Sequence, residues 1–292
     1  MKIVSLVSAV HQNIEEMLAG MHLETDAVIV NQCVTGDGSA DTKCVTGAGS
    51  ADTFCTKSDS EELSSHNVSD RTVPVTHFVI TMRERGVGLS RNTCIENAPD
   101  CDILLFTDED IVYDEGYSGL IRREYEAHPE ADALLFNMRV CEARRTYWND
   151  DFARVRFYNY GRYPAYSISV RRDRLFASGV RFPLEFGGGA RYINGEDSVF
   201  LHDLLKAGLK IYRTPVCLGE ETERESTWFK GYDERFFVSR GALYVRLYGV
   251  WAMLRAHVFL IRHKYMYSEV GYGQAIRWMK QGMREIRLSS VK

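Results

Sequence analysis

The stretch Ile103-Leu104-Leu105-Phe106-Thr107-Asp108-Glu109-Asp110 decides how the rest of the chain is read. Four apolar residues in a row, with polar residues on either side, mark a strand covered on both faces, as in the middle of a parallel sheet. Open sheets of that kind bind ligands beyond the carboxyl ends of their strands, so the acids after Phe106 stand at the binding edge. In an extended segment residues i and i+2 point the same way. Asp108 and Asp110 are therefore expected to face one site, with Glu109 turned aside. Two hard carboxylate ligands suit Mg²⁺ or Mn²⁺, ions that also recruit substrate phosphates. A solvated acidic turn is the plain alternative for such a short motif.

Working outward from this strand, the chain alternates strand and helix patterns. Residues 2–8 and 27–30 are apolar, β-branched runs on either side of a helical pattern at 13–18. Residues 73–81 read as a third strand, followed by a helix that Ser90 can cap and that ends before Pro99. A helix at 117–128 and strands at 133–140 and 166–170 come next. Gly187-Gly188-Gly189 reads as a flexible loop before a helix at 196–207, which buries Val199, Phe200, Leu204 and Leu205 and is ended by Gly208. A short strand at 210–212 follows, and from Tyr232 the pattern is helical almost to the end. The expected class is α/β, a Rossmann-like central sheet, mixed but mostly parallel, flanked by helices, with a helical C-terminal segment.

One stretch breaks this alternation. Residues 33–43 (CVTGDGSADTK) and 44–54 (CVTGAGSADTF) are tandem copies differing only at Asp37/Ala48 and Lys43/Phe54. They lack the glutamate of a calcium loop and the lysine of a phosphate loop, so residues 33–70 are expected to form an inserted, mobile surface loop.

Bulk composition narrows the classes. The 292 residues carry a net charge of −4, which gives no reason to expect nucleic-acid binding. Seven cysteines without a zinc spacing suggest reduced thiols in a cytosolic protein. The N-terminal apolar run reads as a strand rather than a signal peptide. Residues 240–292 hold ten Lys/Arg against two acids, Glu269 and Glu285. Such a segment could meet anionic lipid at the inner face of a membrane, but a solvated helical face is the preferred reading. Taken as one helix, residues 242–261 put Arg246 and Arg255 on opposite sides, which argues against a helix lying flat in a bilayer.

Three further groups could take part in chemistry. Glu196-Asp197 opens a helix, where the dipole and capping alone favour acids; the functional reading is a general base. Arg85, Gly86, Ser90, Arg91 and Asn92 lie where a loop enters a helix, whose backbone N–H groups can hold phosphate. Trp228, beside Ser226 and Thr227, suits stacking on a sugar or covering a diphosphate, and equally suits a core position.

In order along the chain, DAVIVNQC, ERGVGLSRN, DILLFTDEDIVYDEGY, NGEDSVFLHDLLKAGLKIY and ESTWFKGYDERFFVSRGALY resemble the bacterial family-2 glycosyltransferases of the GT-A fold. The resemblance implies inverting transfer of a sugar from a nucleotide-diphosphate donor, UDP-linked by expectation, to a hydroxyl on a glycan or glycolipid acceptor during cell-surface polysaccharide or glycolipid synthesis. It implies Mn²⁺ or Mg²⁺ at Asp110, with Asp108 by the ribose or the metal. Asp197 would be the base, with Glu196 beside it. Arg91 and Asn92 would lie near the nucleotide, and Gln12, Asn31 and Gln32 by the nucleobase. Residues 1–230 would then form the catalytic domain and 231–292 a basic helical segment packed on it. The family usually carries an acid where this chain has Asn31-Gln32-Cys33, and the tandem repeat is no part of its pattern. A nucleotidyltransferase would want a glycine-rich basic loop after the first strand, where this chain reads Ser8-Ala9-Val10-His11-Gln12. A non-catalytic subunit that binds nucleotide sugar or glycan is the other alternative.

Overall fold

The structure is a computed structural model that describes residues 1–10, 13–32, 53–57, 75–142, 144–222 and 231–289. Its first half builds β1 (Ile3–Ala9), α1 (Ile14–Met21), β2 (Asp26–Gln32), β3 (Thr53–Lys57), β4 (Thr76–Met82), α2 (Val87–Glu96), β5 (Ile103–Asp108), β6 (Ile111–Tyr113) and α3 (Tyr117–Ala127). The second half adds β7 (Ala133–Arg139), β8 (Ala153–Arg154), β9 (Ile168–Arg171), α4 (Arg172–Ser178), α5 (Glu196–Lys206), β10 (Ile211–Glu221), α6 (Glu234–Tyr248), α7 (Ala252–Arg262) and α8 (Tyr272–Ser289).

Nine strands line up in the order β3-β4-β2-β1-β5-β9-β7-β10-β6, and β8 adds to β10. The pairs β4–β2, β2–β1, β1–β5 and β7–β10 are parallel, while β3, β9, β6 and β8 pair antiparallel with their neighbours. The sheet is thus mixed and mostly parallel, as the alternating pattern implies.

Period-2 alternation divides the buried strands between two cores. Leu104 and Phe106 point into one, with Val4, Leu6, Val28, Cys94, Phe200 and Leu204. Ile103 and Leu105 point into the other, with Tyr113, Tyr117, Ile121 and Phe136. Both faces of β5 are therefore covered, which is why the run from Ile103 to Phe106 contains no polar residue. On the first face Phe182 and Phe200 stack with centroids 3.9 Å apart, and Phe106 meets them edge-on at 5.2 and 5.4 Å. Helix starts follow local chemistry: Asn13 caps α1 by accepting from the Glu16 N–H, and Asp233 caps α6 by accepting from the Phe236 N–H.

Four expectations change. Gly86 rather than Ser90 occupies the N-cap of α2, and Ser90 lies within the helix. The strand expected at 210–212 extends to Glu221. Residues 53–57, expected in a mobile loop, form edge strand β3 against β4, while 33–52 and 58–70 lie outside the described residues. The helix expected through 242–261 is broken at Gly249, whose φ of 53° favours glycine, so α6 and α7 are separate helices.

The C-terminal helices meet the rest of the protein through specific contacts. Phe186, Tyr192 and Val199 share a core with Ala242, Leu243 and Ile286. The Ser239 hydroxyl accepts from the Ile193 N–H, and Arg246 and Arg191 pair with Asp203 and Glu285. No helix among the described residues is long and apolar enough to cross a membrane.

Candidate functional site

Strand β5 stays buried through Thr107 and first meets solvent at Asp108. Glu109 and Asp110 then form a turn into β6, and the Glu109 carboxylate accepts from the Val10 N–H at 2.8 Å. The Glu109 carboxylate thus bonds back to the residue after β1, the strand beside β5, from within a turn rather than from a continuing strand. The Thr222 N–H and hydroxyl both donate to the Asp110 carbonyl, at 2.8 and 3.1 Å, tying this turn to the end of β10.

That tie brings Glu221 close to the acidic turn. Burial pushes the Asp110 carboxyl up to about 7, and the charges of Asp108 and Glu221 push it the same way. Glu221 is also raised, by burial and by Asp108, although Arg144 pairs with it at 2.6 Å and opposes the shift. The Tyr166 phenol is raised by burial first and then by Glu221, Asp108 and Asp110 among its neighbours, so its ring borders the same pocket of charge.

Arg91, on α2, is the hub between this turn and the Glu196-Asp197 pair. Its guanidinium is 4% exposed and lies over the Phe182 ring, 5.2 Å from the centroid. Nη2 donates to both Asp108 oxygens at 2.9 and 3.2 Å, and Nη1 donates to Asp197 at 2.9 Å and Glu196 at 3.3 Å. Burial opposes the charge on Arg91, but the three carboxylates outweigh it and raise its pKa. Asp197 is held well above the usual carboxylate range by burial first and then by Glu196 and Asp108, against the pull of Arg91. The first-turn acids of α5 therefore do more than answer a helix dipole: both point across to α2. Glu196 has a close backbone neighbour, since a Cβ on Gly187 would come within 2.8 Å of its carboxyl carbon.

The remaining expected residues fall in four groups. Arg85 is exposed beside Gly86, at the start of α2. Asn31 and Gln32 end β2 and are buried, and the Gln32 side-chain carbonyl accepts from the Gly86 N–H at 2.7 Å. Ser90 and Asn92 serve as internal fasteners: the Ser90 hydroxyl accepts from Ser8, while the Asn92 amide pairs with both backbone groups of Phe182. Gln12 and Trp228 lie outside the described residues.

At the start of α2, where phosphate binding is expected, two backbone donors are engaged within the protein. The Gly86 N–H is taken by Gln32 and the Val87 N–H by the Gly188 carbonyl, at 2.9 Å. The same contact pins the glycine loop expected to be flexible, which is a tight turn closed by Gly187 N–H to the Tyr192 carbonyl. Sequence reasoning missed Glu221, Arg144 and Tyr166. Only Glu221 carried a usable signal, as an acid at the end of a strand, and that signal required knowing how far β10 runs.

The donor set fits a divalent cation in one particular way. Among the described residues no three His, Cys, Asp or Glu side chains converge on a metal position. Arg91 donates to both Asp108 oxygens, and Asp110 lies two residues on, in the turn that Thr222 fastens. Mg²⁺ and Mn²⁺ are commonly held by one or two carboxylates, with substrate phosphates completing the shell.

Comparison with solved structures matches S. aureus TarS residues 1–349 in complex with UDP-GlcNAc, at a TM-score of 0.59 and 15% identity over 98% of this chain and 82% of that one. This chain is similar in fold to TarS. The structure of TarS 1–349 on its own gives 0.56 and 14% over 96% and 79%. A mannosyltransferase, PcManGT from Pyrobaculum calidifontis in complex with GDP-Man and Mn²⁺, gives 0.47 and 13% over 98% and 75%. No family model matches the sequence, and no curated protein matches it.

Proposed function

We propose that the protein is an inverting glycosyltransferase that moves a sugar from a nucleotide-diphosphate donor, UDP-linked, to an acceptor hydroxyl in the synthesis of a surface polysaccharide or glycolipid. The observation that carries this reading is the meeting of two acidic groups at the carboxyl edge of the sheet. Asp108-Glu109-Asp110 lies on one side and Glu196-Asp197 on the other, with Arg91 between them. The fold shared with TarS, whose structure holds UDP-GlcNAc, supports a donor of that class.

In this reading Asp110 holds Mn²⁺ or Mg²⁺ together with the donor diphosphate. The cation, when bound, offsets charge that develops on the departing diphosphate. Asp197 accepts the proton of the acceptor hydroxyl as the glycosidic bond forms. Burial raises the Asp197 carboxyl well above the usual carboxylate range, which makes its ionised form a stronger base than an exposed aspartate. Arg91 keeps Asp197 and Glu196 in place and fixes Asp108, which lies toward the ribose. Arg85 reaches the phosphates from the rim, and Asn31 lies on the nucleobase side. Residues 1–230 form the catalytic unit, and residues 231–292 brace α5 from behind.

The test is a panel of UDP- and GDP-sugars, scored for binding by calorimetry and for slow donor hydrolysis, with and without Mn²⁺. At least one donor should bind more tightly and turn over faster with the metal. Asp110→Asn should remove the metal response. Asp197→Asn should keep donor affinity within a few-fold and lower transfer by roughly 10²–10⁴-fold. A metal-independent, donor-independent protein would sink the reading, and full activity in Asp197→Asn would remove the base assignment.

A further inference from the structure

Helix α7 carries its apolar residues on the wrong side for a helix that serves only as packing. Its inward face buries Ala252, Ala256 and Leu260 completely, with Met253 and Phe259 packed beside them. Its outward face presents Leu254 at 56% and Ile261 at 60% exposure, and the turn just before it, Gly249–Trp251, adds Val250 at 87% and Trp251 at 66%. Residues 251, 254, 258 and 261 are spaced three, four and three apart, so they form one stripe along the helix. Tyr265, at 61%, continues the exposed apolar surface beyond the end of α7. Scattered surface hydrophobes need no explanation, but a continuous stripe on a solvent face does.

The charged residues of the segment that carries the stripe have one sign. No Asp or Glu occurs between Glu234 and Glu269. Arg255 and Arg262 are exposed on the flank of the stripe, and Lys264 follows it. Because Gly249 separates α6 from α7, Arg246 belongs to another helix and pairs with Asp203 there. The conflict between Arg246 and Arg255 on a single wheel therefore disappears.

An apolar stripe with Trp and Leu, flanked by Arg and Lys and free of acids, matches the chemistry of the water–lipid boundary of an anionic bilayer. We propose that α7 and the turn before it form a peripheral membrane-docking surface for anionic lipid. The stripe enters the acyl boundary and the basic flank meets the headgroups. The proposal stands independently of the donor chemistry.

The test is co-sedimentation of the full chain with vesicles of phosphatidylglycerol mixed with phosphatidylcholine, against phosphatidylcholine alone. The protein should sediment with the anionic vesicles and lose binding as salt rises. The triple variant Trp251→Ser/Leu254→Ser/Ile261→Ser should bind at least tenfold less, as should Arg262→Glu/Lys264→Glu. All positions are at the surface, so unfolding midpoints and UDP-GlcNAc binding should be unchanged in both variants, which separates this outcome from a failure of the donor reading. Equal vesicle binding by wild type and triple variant would overturn the proposal. So would absence of wild-type binding, including the case in which the stripe instead drives a dimer that the triple variant abolishes.

Discussion

Arg91 is a single side chain on which three carboxylates from two other elements depend, so its replacement should separate geometry from charge. Arg91→Ala leaves Asp108, Glu196 and Asp197 without their cation in a largely enclosed site. Removing one partner of a buried ion pair costs about 3–5 kcal/mol, and urea unfolding should show a loss of that order. Arg91→Lys keeps the charge but cannot span Asp108 and the Glu196-Asp197 pair with one planar fork. It should recover part of the stability while transfer remains depressed, as read by donor turnover. Recovery of both together would mean that charge alone matters at this position.

Asp110 gives a pH signature at the same scale. Its carboxyl is raised from 3.8 to about 7, so across that interval the folded protein binds more protons than the unfolded chain. Stability then falls as pH rises through the interval, and the penalty is complete above the folded value. Glu221 and Asp197 shift in the same direction. The metal-free protein should therefore unfold at lower urea at about pH 8 than at about pH 5.5, and Asp110→Asn should flatten that slope. Divalent-metal affinity should weaken as pH falls through about 7, because the cation must displace the proton. A metal affinity independent of pH across this range would argue against Asp110 as a ligand.

At the scale of elements, α6 and α8 cross with almost no space between their backbones. A Cβ on Gly282 would collide with the Val238 carbonyl, and one on Gly241 with the Met279 carbonyl. Gly282→Ala should therefore force the helices apart at a cost of about 1–3 kcal/mol. Gly20→Ala, in α1 with nothing within 4 Å, should be neutral or stabilising by up to about 1 kcal/mol. Chemical denaturation of the two variants side by side checks the contrast.

The same scale explains what the sequence could show. Strand β5 was legible because both of its faces are buried and its residues are uniformly apolar. The first turn of α5 was legible as a pair of acids ahead of a buried apolar face. Strand β10 was not. It carries Pro215 and a buried Thr214 that bonds Glu124, and its register against β7 shifts twice, so no alternation survives. Helix α2 misleads differently: its buried side holds Ser90, Arg91 and Asn92, polar groups whose partners lie on strands, a loop and helix α5 distant in the chain. Their fastening roles depend on Ser8 and Phe182, partners that local pattern cannot name.

For the whole molecule, charge and topology act together. The acidic turn, Glu221 and the Glu196-Asp197 pair come from segments more than a hundred residues apart at their extremes, and the sheet order brings them to one edge. The basic helical segment lies behind α5, with Arg246 and Arg191 fastened to Asp203 and Glu285. If α7 docks on lipid, the acidic opening and the basic flank give the molecule a fixed polarity, and salt should weaken vesicle binding while leaving the unfolding midpoint nearly unchanged. Parallel titrations at low and high ionic strength compare the two.

Strand β3 has a consequence of another kind. It pairs with β4 from Thr53↔Ile80 to Lys57↔Thr76 and, among the described residues, is the outermost strand on that side, as the three-residue β6 is on the other. Without β3, the outermost strand would be the seven-residue β4, whose free amides and carbonyls would invite a neighbouring molecule to continue the ladder. With β3 in place the free edge on that side is five residues long rather than seven, a shorter template for pairing between molecules, and its first two residues, Thr53 and Phe54, come from the second copy of the tandem repeat.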